Sequence, residues 1–548
     1  MCKECWDQAN NELVAENQAV LDKETKQAHD KTLVFEDMTD LGNARRLVAL
    51  HGHELHYNHA MQKWLIWDDR RWQADETGEV NRRAHNVIVR YSQLLETERA
   101  DLYSKKDRTN PESFSKTMQS RRAIESMVVL AQSLNPIPIR RTELDSNPFL
   151  LTVENGTIDL RTGDLQPHSQ GDLITMLAPV TFTPYATSGV WDKFLQRIVP
   201  DLDVRLFLQE ALGSSLTGCL PDHIFFLYGP TKTGKGTMLR AIGATLGDYA
   251  HTARYQSFIR DKYESGSQHR EDLVAMVNKR FIMATEVQEG RAMAEALVKS
   301  LTGRDRQRAR TLRQESFEFE PTFKIWIGTN FLLKVSAEDD AMWERLVQIP
   351  FEQQIPIDER DKTLDDQLKD EHCKSAILAW LVDGCLRWLN RGQTFVVPEV
   401  IKQAIQKYKD EMDPLKDFID DNCDTDKPNA WELASTLYGA YKEYVETRNE
   451  YPISQQRFGR ILSAKGFRPD KTVAGRIWQG IRLRLVMESS DSSKPKVDGN
   501  WPKTSEPKTG TESGTKGSTS SESEGNAKED EEEDEEDIRD QGSKDDDE

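Results

Sequence analysis

A chain of 548 residues with a formal net charge of −20 has room for roughly three to four domains with sizeable cores. Its 6 cysteines exclude a disulfide-framed scaffold and suit a reducing compartment. With no apolar run long enough to span a bilayer and no charged-then-apolar leader, neither a membrane span nor export is expected, and the cytoplasm is the expected place.

Residues 1–30 read as a polar, helix-prone arm without a strong apolar stripe. Cys2 and Cys5 form a CxxC with no second CxxC to complete a zinc site, so a reduced pair is expected. His51, His53, His56 and His59 lie among Leu55, Tyr57 and Trp64, which favours the polar faces of short strands over a metal cluster. Trp64, Trp67 and Trp72 punctuate KWLIWDDRRW, two short strands around an Asp68–Asp69 turn; core packing is favoured over a base-stacking platform. Residues 99–145 are charged and helical in character. A strand over Phe149–Val153, a tight turn at Asn155–Gly156 and a strand over Thr157–Leu160 follow. From Trp191 to Leu216, Phe194, Leu195, Ile198, Phe207, Leu208 and Leu212 recur at helical spacing. Residues 31–215 are thus an α+β accessory domain ending in a helical collar.

The apolar run Ile224–Tyr228 stops at Gly229 and is followed by Pro230, Thr231, Lys232, Thr233, Gly234, Lys235, Gly236 and Thr237, then by a helix-permissive segment. Strand, glycine loop, lysine, hydroxyl and helix are the parts of a phosphate-binding loop in its required context. The glycines let successive N–H groups turn inward on phosphate oxygens, and the helix adds its positive end. Lys235 reaches the β- and γ-phosphates of ATP, and a hydroxyl holds Mg2+. Gly236 stands where Ser or Thr is usual, so either Thr237 takes the metal or water does. The plainer alternative is a glycine turn after a buried strand.

A second apolar run, Arg280–Thr285, ends at Glu286, a candidate to polarise the attacking water or hold magnesium's outer shell; Glu289 is a second candidate acid, and an ordinary strand-end carboxylate is the alternative. A helix through Lys299 then leads into RDRQRARTLR, where Arg304, Arg306, Arg308, Arg310 and Arg313 crowd together before a strand-like Glu315–Phe319. A hairpin so armed can grip phosphates of a single strand, or it is a salt-bridged solvated hairpin. A third strand, Phe323–Thr329, ends at Asn330, an amide that can orient water beside the γ-phosphate. Arg345 is expected to open a last strand and to face a neighbouring subunit's nucleotide. These pieces define a core over 216–355.

Ile377, Trp380, Leu381, Gly384 and Trp388 give an amphipathic helix in an extension over 356–410, expected to pack on that core. Residues 411–487 suit a winged-helix domain: three helical stretches, the second helix of the motif about Ser454–Ala464, then basic strands over Thr472–Leu485, with Arg468, Lys471, Arg476, Arg482 and Arg484 available to phosphates. Residues 488–548 are a disordered acidic tail, with Glu529–Asp537 its densest run. That tail hides a less acidic body, so the overall charge does not exclude DNA.

Taken in order, GPTKTGKGT, FIMATEVQEG, VKSLTGRDRQRAR, FEFEPTFKIWIGTN and WERLVQIPF resemble the superfamily 3 helicase module of the phage and plasmid primase–helicase family, related to the poxvirus primase–helicase. NGTIDLRTGDLQPH, ILAWLVDGCLRW, LYGAYKEY and RFGRILSAKGF extend the resemblance over about residues 35–485. It implies an AAA+-like α/β phosphate-loop ATPase with a winged-helix domain, assembling as a hexameric homo-oligomer and unwinding DNA 3′ to 5′ in the replication of a phage, plasmid or other mobile element. Lys235 would be the loop lysine, Glu286 the second-motif acid, Asn330 the sensor and Arg345 the trans-acting finger. Lys299 and Thr302–Arg310 would match the motif whose hairpin enters a pore on single-stranded or forked DNA. Glu344 stands where members often carry another arginine, so only Arg345 is carried over. No set of primase carboxylates precedes the module, so primer synthesis is expected, if at all, from a separate primase or polymerase. A non-motor initiator or loader that uses ATP to assemble on DNA is the alternative, and a small-molecule phosphotransferase a third reading.

Overall fold

The tryptophan- and histidine-rich N-terminal stretch folds as an antiparallel meander packed on helices. The computed structural model describes residues 33, 36–97, 111–220, 222–260, 268–285, 289–303, 305–310, 316–427, 430–448, 450–473 and 475–484. The N-terminal arm, Cys2, Cys5, Glu286, Arg304, Arg313 and the acidic tail lie outside them. Helix α1 (Asp40–His51) starts at Thr39, whose side chain accepts from Gly42 N. Strands β1 (Leu55–Asn58), β2 (Lys63–Trp67) and β3 (Trp72–Ala74) pair in that order. Asp68 makes the β2–β3 turn, its Oδ1 accepting from Arg70 N at 3.0 Å and Arg71 N at 2.8 Å. Trp72 is buried in a small core, and the His56 ring packs against it at a tilt of 43°. His56 Nδ1 lies 3.3 Å from Ile137 O and His59 Nε2 3.1 Å from Gln132 O, so both rings are committed to backbone carbonyls. Helices α2 (Glu79–Thr97), α3 (Pro111–Met118) and α4 (Arg121–Ala131) complete this region.

A second meander follows: β4 (Leu150–Val153), β5 (Gly156–Asp159) and β6 (Asp164–Gln166). The collar is two helices, α5 (Gly189–Ile198) and α6 (Leu202–Ser214), separated at Pro200; Asp201 caps the second by accepting from Val204 N at 3.0 Å.

The central elements are β7 (Ile224–Tyr228), α7 (Lys235–Leu246), β8 (Ala250–Thr252), α8 (Gln268–Met276), β9 (Phe281–Thr285), α9 (Glu295–Leu301), the hairpin β10 (Gln307–Arg310) with β11 (Ser316–Phe319), then β12 (Lys324–Thr329), α10 (Asp340–Trp343) and β13 (Leu346–Pro350). Five strands form one sheet in the order β13-β7-β12-β9-β8, every neighbouring pair parallel. β7, IFFLY, is a continuous apolar run, and β12, KIWIGT, is buried along its whole length, because both faces are covered. Phe225 and Trp326 stack across adjacent strands, centroids 4.3 Å apart.

Helices α11 (Leu364–Lys369), α12 (Glu371–Asn390) and α13 (Glu399–Glu411) follow the sheet. α12 crosses α6 at close range: a Cβ on Gly384 would lie 2.2 Å from Gln209 O, and one on Gly213 2.3 Å from Cys385 N. Leu212, Phe225 and Ile377 therefore share one core that joins collar, sheet and α12. Two buried cations fasten the collar to the sheet. Arg280 donates to Leu216 O at 2.6 Å, and Lys324 Nζ to Thr217 O at 2.9 Å and Cys219 O at 3.0 Å. Burial pulls the Lys324 ammonium down to about 8, yet the carbonyls beyond the end of α6 hold it.

The last region contains α14 (Lys416–Asn422), β14 (Cys423–Asp424), β15 (Trp431–Leu433), α15 (Ala434–Thr447), α16 (Gln455–Ala464), β16 (Arg468–Thr472), β17 (Gly475–Gln479) and β18 (Arg482–Leu483). β16 begins at Arg468, four residues ahead of the basic strands the sequence suggests. The sheet β15-β17-β16 is antiparallel, and β14 pairs with β18. Phe418, Tyr441, Phe458 and Trp478 form its core. All the described residues fall in one compact unit ending at Arg484. Among them no helix is long and apolar enough to cross a membrane.

Candidate active site

The parallel sheet delivers β7, β12 and β9 to one edge, and the glycine loop leaves from there. Gly229 exits β7 at φ 156°, and a Cβ on it would lie 2.0 Å from Phe351 O. Gly234 adopts φ 86°, and its Cβ would strike Ile198 of α5 at 2.5 Å. No other residue fits either place. Lys232 also takes a positive φ, 62°, and its carbonyl accepts from Ile355 N at 2.9 Å. Thr233 closes the loop by donating to Pro230 O at 3.2 Å. Pro230 and Thr231 are exposed, and Thr231 O accepts from Gln354 Nε2 at 3.1 Å.

Lys235 opens α7 and is only 7% exposed. Its Nζ lies within bonding reach of four oxygens: Gly229 O at 2.8 Å, Pro230 O at 2.7 Å, Thr233 Oγ1 at 3.0 Å and Asn330 Oδ1 at 3.1 Å. Burial lowers this ammonium to about 8. The lysine and the amide, both expected at one nucleotide site, are thus in direct contact. No local signal reports that contact, since the residues are 95 positions apart.

Gly236 leaves the first helical position after the lysine without a hydroxyl. Thr237 lies about 100° further round the helix, where its Oγ1 accepts from Arg240 Nη2 at 3.3 Å. Arg240 is itself paired with Asp365 at 2.9 Å. Thr237 lines a groove of about 670 Å³ with Lys232, Phe194, Ile355, Leu364 and Gln367. The groove opens beside the glycine loop, and Lys193, Arg197, Glu359, Arg360 and Asp361 also line it. Arg240, Asp365 and this groove carry no motif in the sequence.

β9 ends at Thr285, opposite Gly328 of β12, so it brings the chain to the same edge as Asn330. Glu286 lies outside the described residues; Glu289 is exposed. Arg345 sits elsewhere. It precedes β13 rather than opening it, and its carbonyl accepts from Ile224 N at 2.8 Å, at the start of β7. Its Nη1 donates to Ala341 O at 2.6 Å. The glycine loop is a full strand away, about 15 Å at the usual rise.

The hairpin alternates faces as a strand must. Gln307 and Ala309 are buried, and Arg306 and Arg308 are exposed. Arg306 pairs with Glu320 at 3.2 Å, and Arg308 faces Glu318 across the ladder. Arg310 ends β10, its side chain outside the described residues, as is Arg304. Phe317 of β11 lies under the Arg141 guanidinium at 3.6 Å, which ties the hairpin to the N-terminal region. Lys299 is held by Asp339, Nζ to Oδ2 at 2.6 Å. Arg468, Lys471 and Arg476 are all exposed, Lys471 and Arg476 as direct neighbours across β16–β17. Arg484 instead pairs with Asp424 at 3.1 Å.

A family model described as "D5 N terminal like" matches residues 44–200, and one described as a family of unknown function (DUF5906) matches residues 227–345, from β7 to Arg345. "Putative helicase L207/L206" of Acanthamoeba polyphaga mimivirus is 26% identical over 303 residues, covering 51% of this chain and 31% of that protein. "Putative helicase 022R" of Frog virus 3 is 23% identical over 302 residues, covering 52% of this chain and 31% of that protein. The matched stretch is thus about a third of the length of these curated relatives. Among solved structures, the apo NrS-1 C terminal region is 10% identical, with 79% of this chain and 97% of that chain covered at a TM-score of 0.42.

Proposed function

From the premise that this chain is a phage/viral primase–helicase-like protein, we propose that it is an ATP-dependent DNA helicase of the superfamily 3 kind, hexameric and moving 3′ to 5′ on single-stranded DNA. The observation that carries the reading is the position of Lys235 Nζ, 3.1 Å from Asn330 Oδ1 at the carboxyl edge of the sheet. The strand order β13-β7-β12-β9-β8 supports an AAA+-like core, since it sets the loop strand beside the sensor strand and that strand beside the one leading to Glu286. The groove beside Thr237 has room for the nucleoside end of ATP. Magnesium would neutralise charge on the β- and γ-phosphates. Thr237, whose hydroxyl now accepts from Arg240, is its candidate protein ligand, with Glu286 the candidate outer acid. The helices α14, α15 and α16 with the β16–β17 hairpin support a winged-helix reading, in which Arg468, Lys471 and Arg476 meet phosphates.

The state of Lys235 sets a pH dependence. Its ammonium is depressed to about 8 without nucleotide, and bound phosphates raise it again. Affinity is therefore full below that value and falls as pH rises through it. Calorimetry with a non-hydrolysable ATP analogue is expected to register proton uptake at pH 8.5 and weaker binding at pH 9 than at pH 7. Equal affinity across that range would show that Lys235 does not bind the phosphates.

The acids opposite Arg306 and Arg308 favour one competitor, a loader whose hairpin is only a salt-bridged support. Replacing Arg306 and Arg308 by Gln separates the two. The helicase reading expects strand displacement and DNA-stimulated hydrolysis to drop by at least about tenfold, with basal hydrolysis and oligomer size retained. Undiminished unwinding removes the hairpin from the motor.

A further inference from the structure

Residues 331–345 join the two ends of the sheet, from Asn330 beyond β12 to Arg345 before β13. Three elements hold this strut. α9 supplies Glu295, whose Oε1 accepts from Ser336 N at 2.7 Å, and Lys299, 2.6 Å from Asp339 Oδ2. α13 supplies Tyr408, whose hydroxyl donates to Leu333 O, and Lys409, 2.7 Å from Asp340 Oδ1. α16 supplies Arg457, whose Nε donates to Glu338 Oε1 at 3.3 Å. Asp339 Oδ1 in turn caps α10 by accepting from Met342 N at 3.2 Å. Consecutive acids at 338, 339 and 340 thus each take a cation from a different helix, just ahead of Arg345.

A groove of about 1290 Å³ runs between this strut and the C-terminal helices. Arg260, Lys299, Lys334 and Arg457 line it from separate segments, with Glu411 and Glu450 among them. Tyr451 also lines it and is 96% exposed. Cations spaced along a groove with a free aromatic face are what a single strand needs, phosphate by phosphate and base by base. The acids keep the resting field weak, so a strand here would depend on stacking and on a cation it can recruit.

We propose that this groove is a second single-stranded DNA site, and that a strand phosphate takes Arg457 from Glu338. The inference rests on the helicase reading. Arg457 and Glu338 have side-chain exposures of 40% and 21%, and an ion pair open to water to this degree contributes little. A phosphate meets the guanidinium fork at least as well as a carboxylate does. Exchange frees Glu338 and with it the C-terminal module's hold on the segment leading to α10 and Arg345. Strand occupancy is thereby linked to the residue that serves the neighbouring subunit. Linkage is reciprocal: Glu338 must weaken strand binding by the factor by which the strand weakens its pair with Arg457.

The test measures binding of a fluorescent oligothymidylate to the full chain without nucleotide, by anisotropy, on variants of unchanged melting temperature. Tyr451→Ala is expected to weaken binding roughly tenfold, the loss of one stacked base. Glu338→Gln is expected to tighten it by about threefold through release of Arg457, and that gain is expected to vanish in an Arg457→Ala background. In Glu338→Gln the strand-stimulated rise in kcat is expected to shrink while KM for ATP holds. Unchanged affinity in Glu338→Gln, a gain that persists without Arg457, or a preference of the groove for duplex over single strand would each overturn the proposal. If wild-type chain binds no strand, the helicase reading falls with it. If it binds and Arg306/Arg308 variants lose stimulation while Glu338→Gln is inert, only the exchange falls.

Discussion

Lys235→Ala is expected to lower ATP hydrolysis by at least ~10²-fold in kcat/KM, measured as phosphate release at saturating Mg2+. The residue is the buried cation of the glycine loop, and its Nζ is already gathered among Gly229 O, Pro230 O and Asn330 Oδ1. Those oxygens hold the ammonium where triphosphate would displace them, so the charge needs little reorganisation on binding. Alanine removes the charge and leaves two backbone carbonyls turned toward the nucleotide, an unfavourable pairing with phosphate. The glycines at 229 and 234, which shape the loop by close approach to Phe351 and Ile198, are untouched, and the melting temperature is expected to change little. Retained hydrolysis in a folded variant would mean that the catalytic nucleotide sits elsewhere.

Arg345→Ala is expected to cost about 10³-fold in kcat with nucleotide affinity unchanged, the range for a trans-acting arginine. Geometry makes the requirement sharp. Arg345 lies at the level of Ile224, the start of β7, whereas the glycine loop leaves that strand after Tyr228. No side chain spans that distance back to its own site, so any role at a γ-phosphate is played on another subunit. Mixing Arg345→Ala with Lys235→Ala chains distinguishes this from a structural effect. The first retains an intact loop and the second an intact arginine, so mixed assemblies are expected to regain hydrolysis that neither variant has alone. Mixtures as inactive as their components would place Arg345 in a structural role at the base of β7, where Ala341 O already holds it.

The two variants also separate what could be read locally from what could not. The strand–loop–helix grammar around Lys235 was legible because each piece is local: an apolar run for β7, glycines where backbone approach is closest, a helix after the lysine. The β2–β3 turn at Asp68–Asp69 and the hairpin after Arg306 were legible for the same reason. Arg306 and Lys299 illustrate the limit. Arg306 read either as a phosphate contact or as part of a salt-bridged hairpin, and Lys299 as a DNA contact through the resemblance alone; their acidic partners, Glu320 and Asp339, lie just beyond β11 and on another element. Thr237 read as the next hydroxyl after the lysine, but one helical step turns it toward Arg240 and the groove under α5.

The sequence by itself determined the periodic elements, the positions that must be glycine, and the set of charged residues available for chemistry. Those follow from backbone sterics and from burial of one face or two, which act over a few residues. Tertiary structure alone decided the strand order, hence that Asn330 meets Lys235 while Arg345 is carried to the opposite end of the same sheet. It also decided which cations stay free and which are claimed by Asp339, Glu338 or Glu320. Strand pairing and ion pairing are settled by surfaces brought together from distant parts of the chain, and no local pattern encodes which surfaces those are.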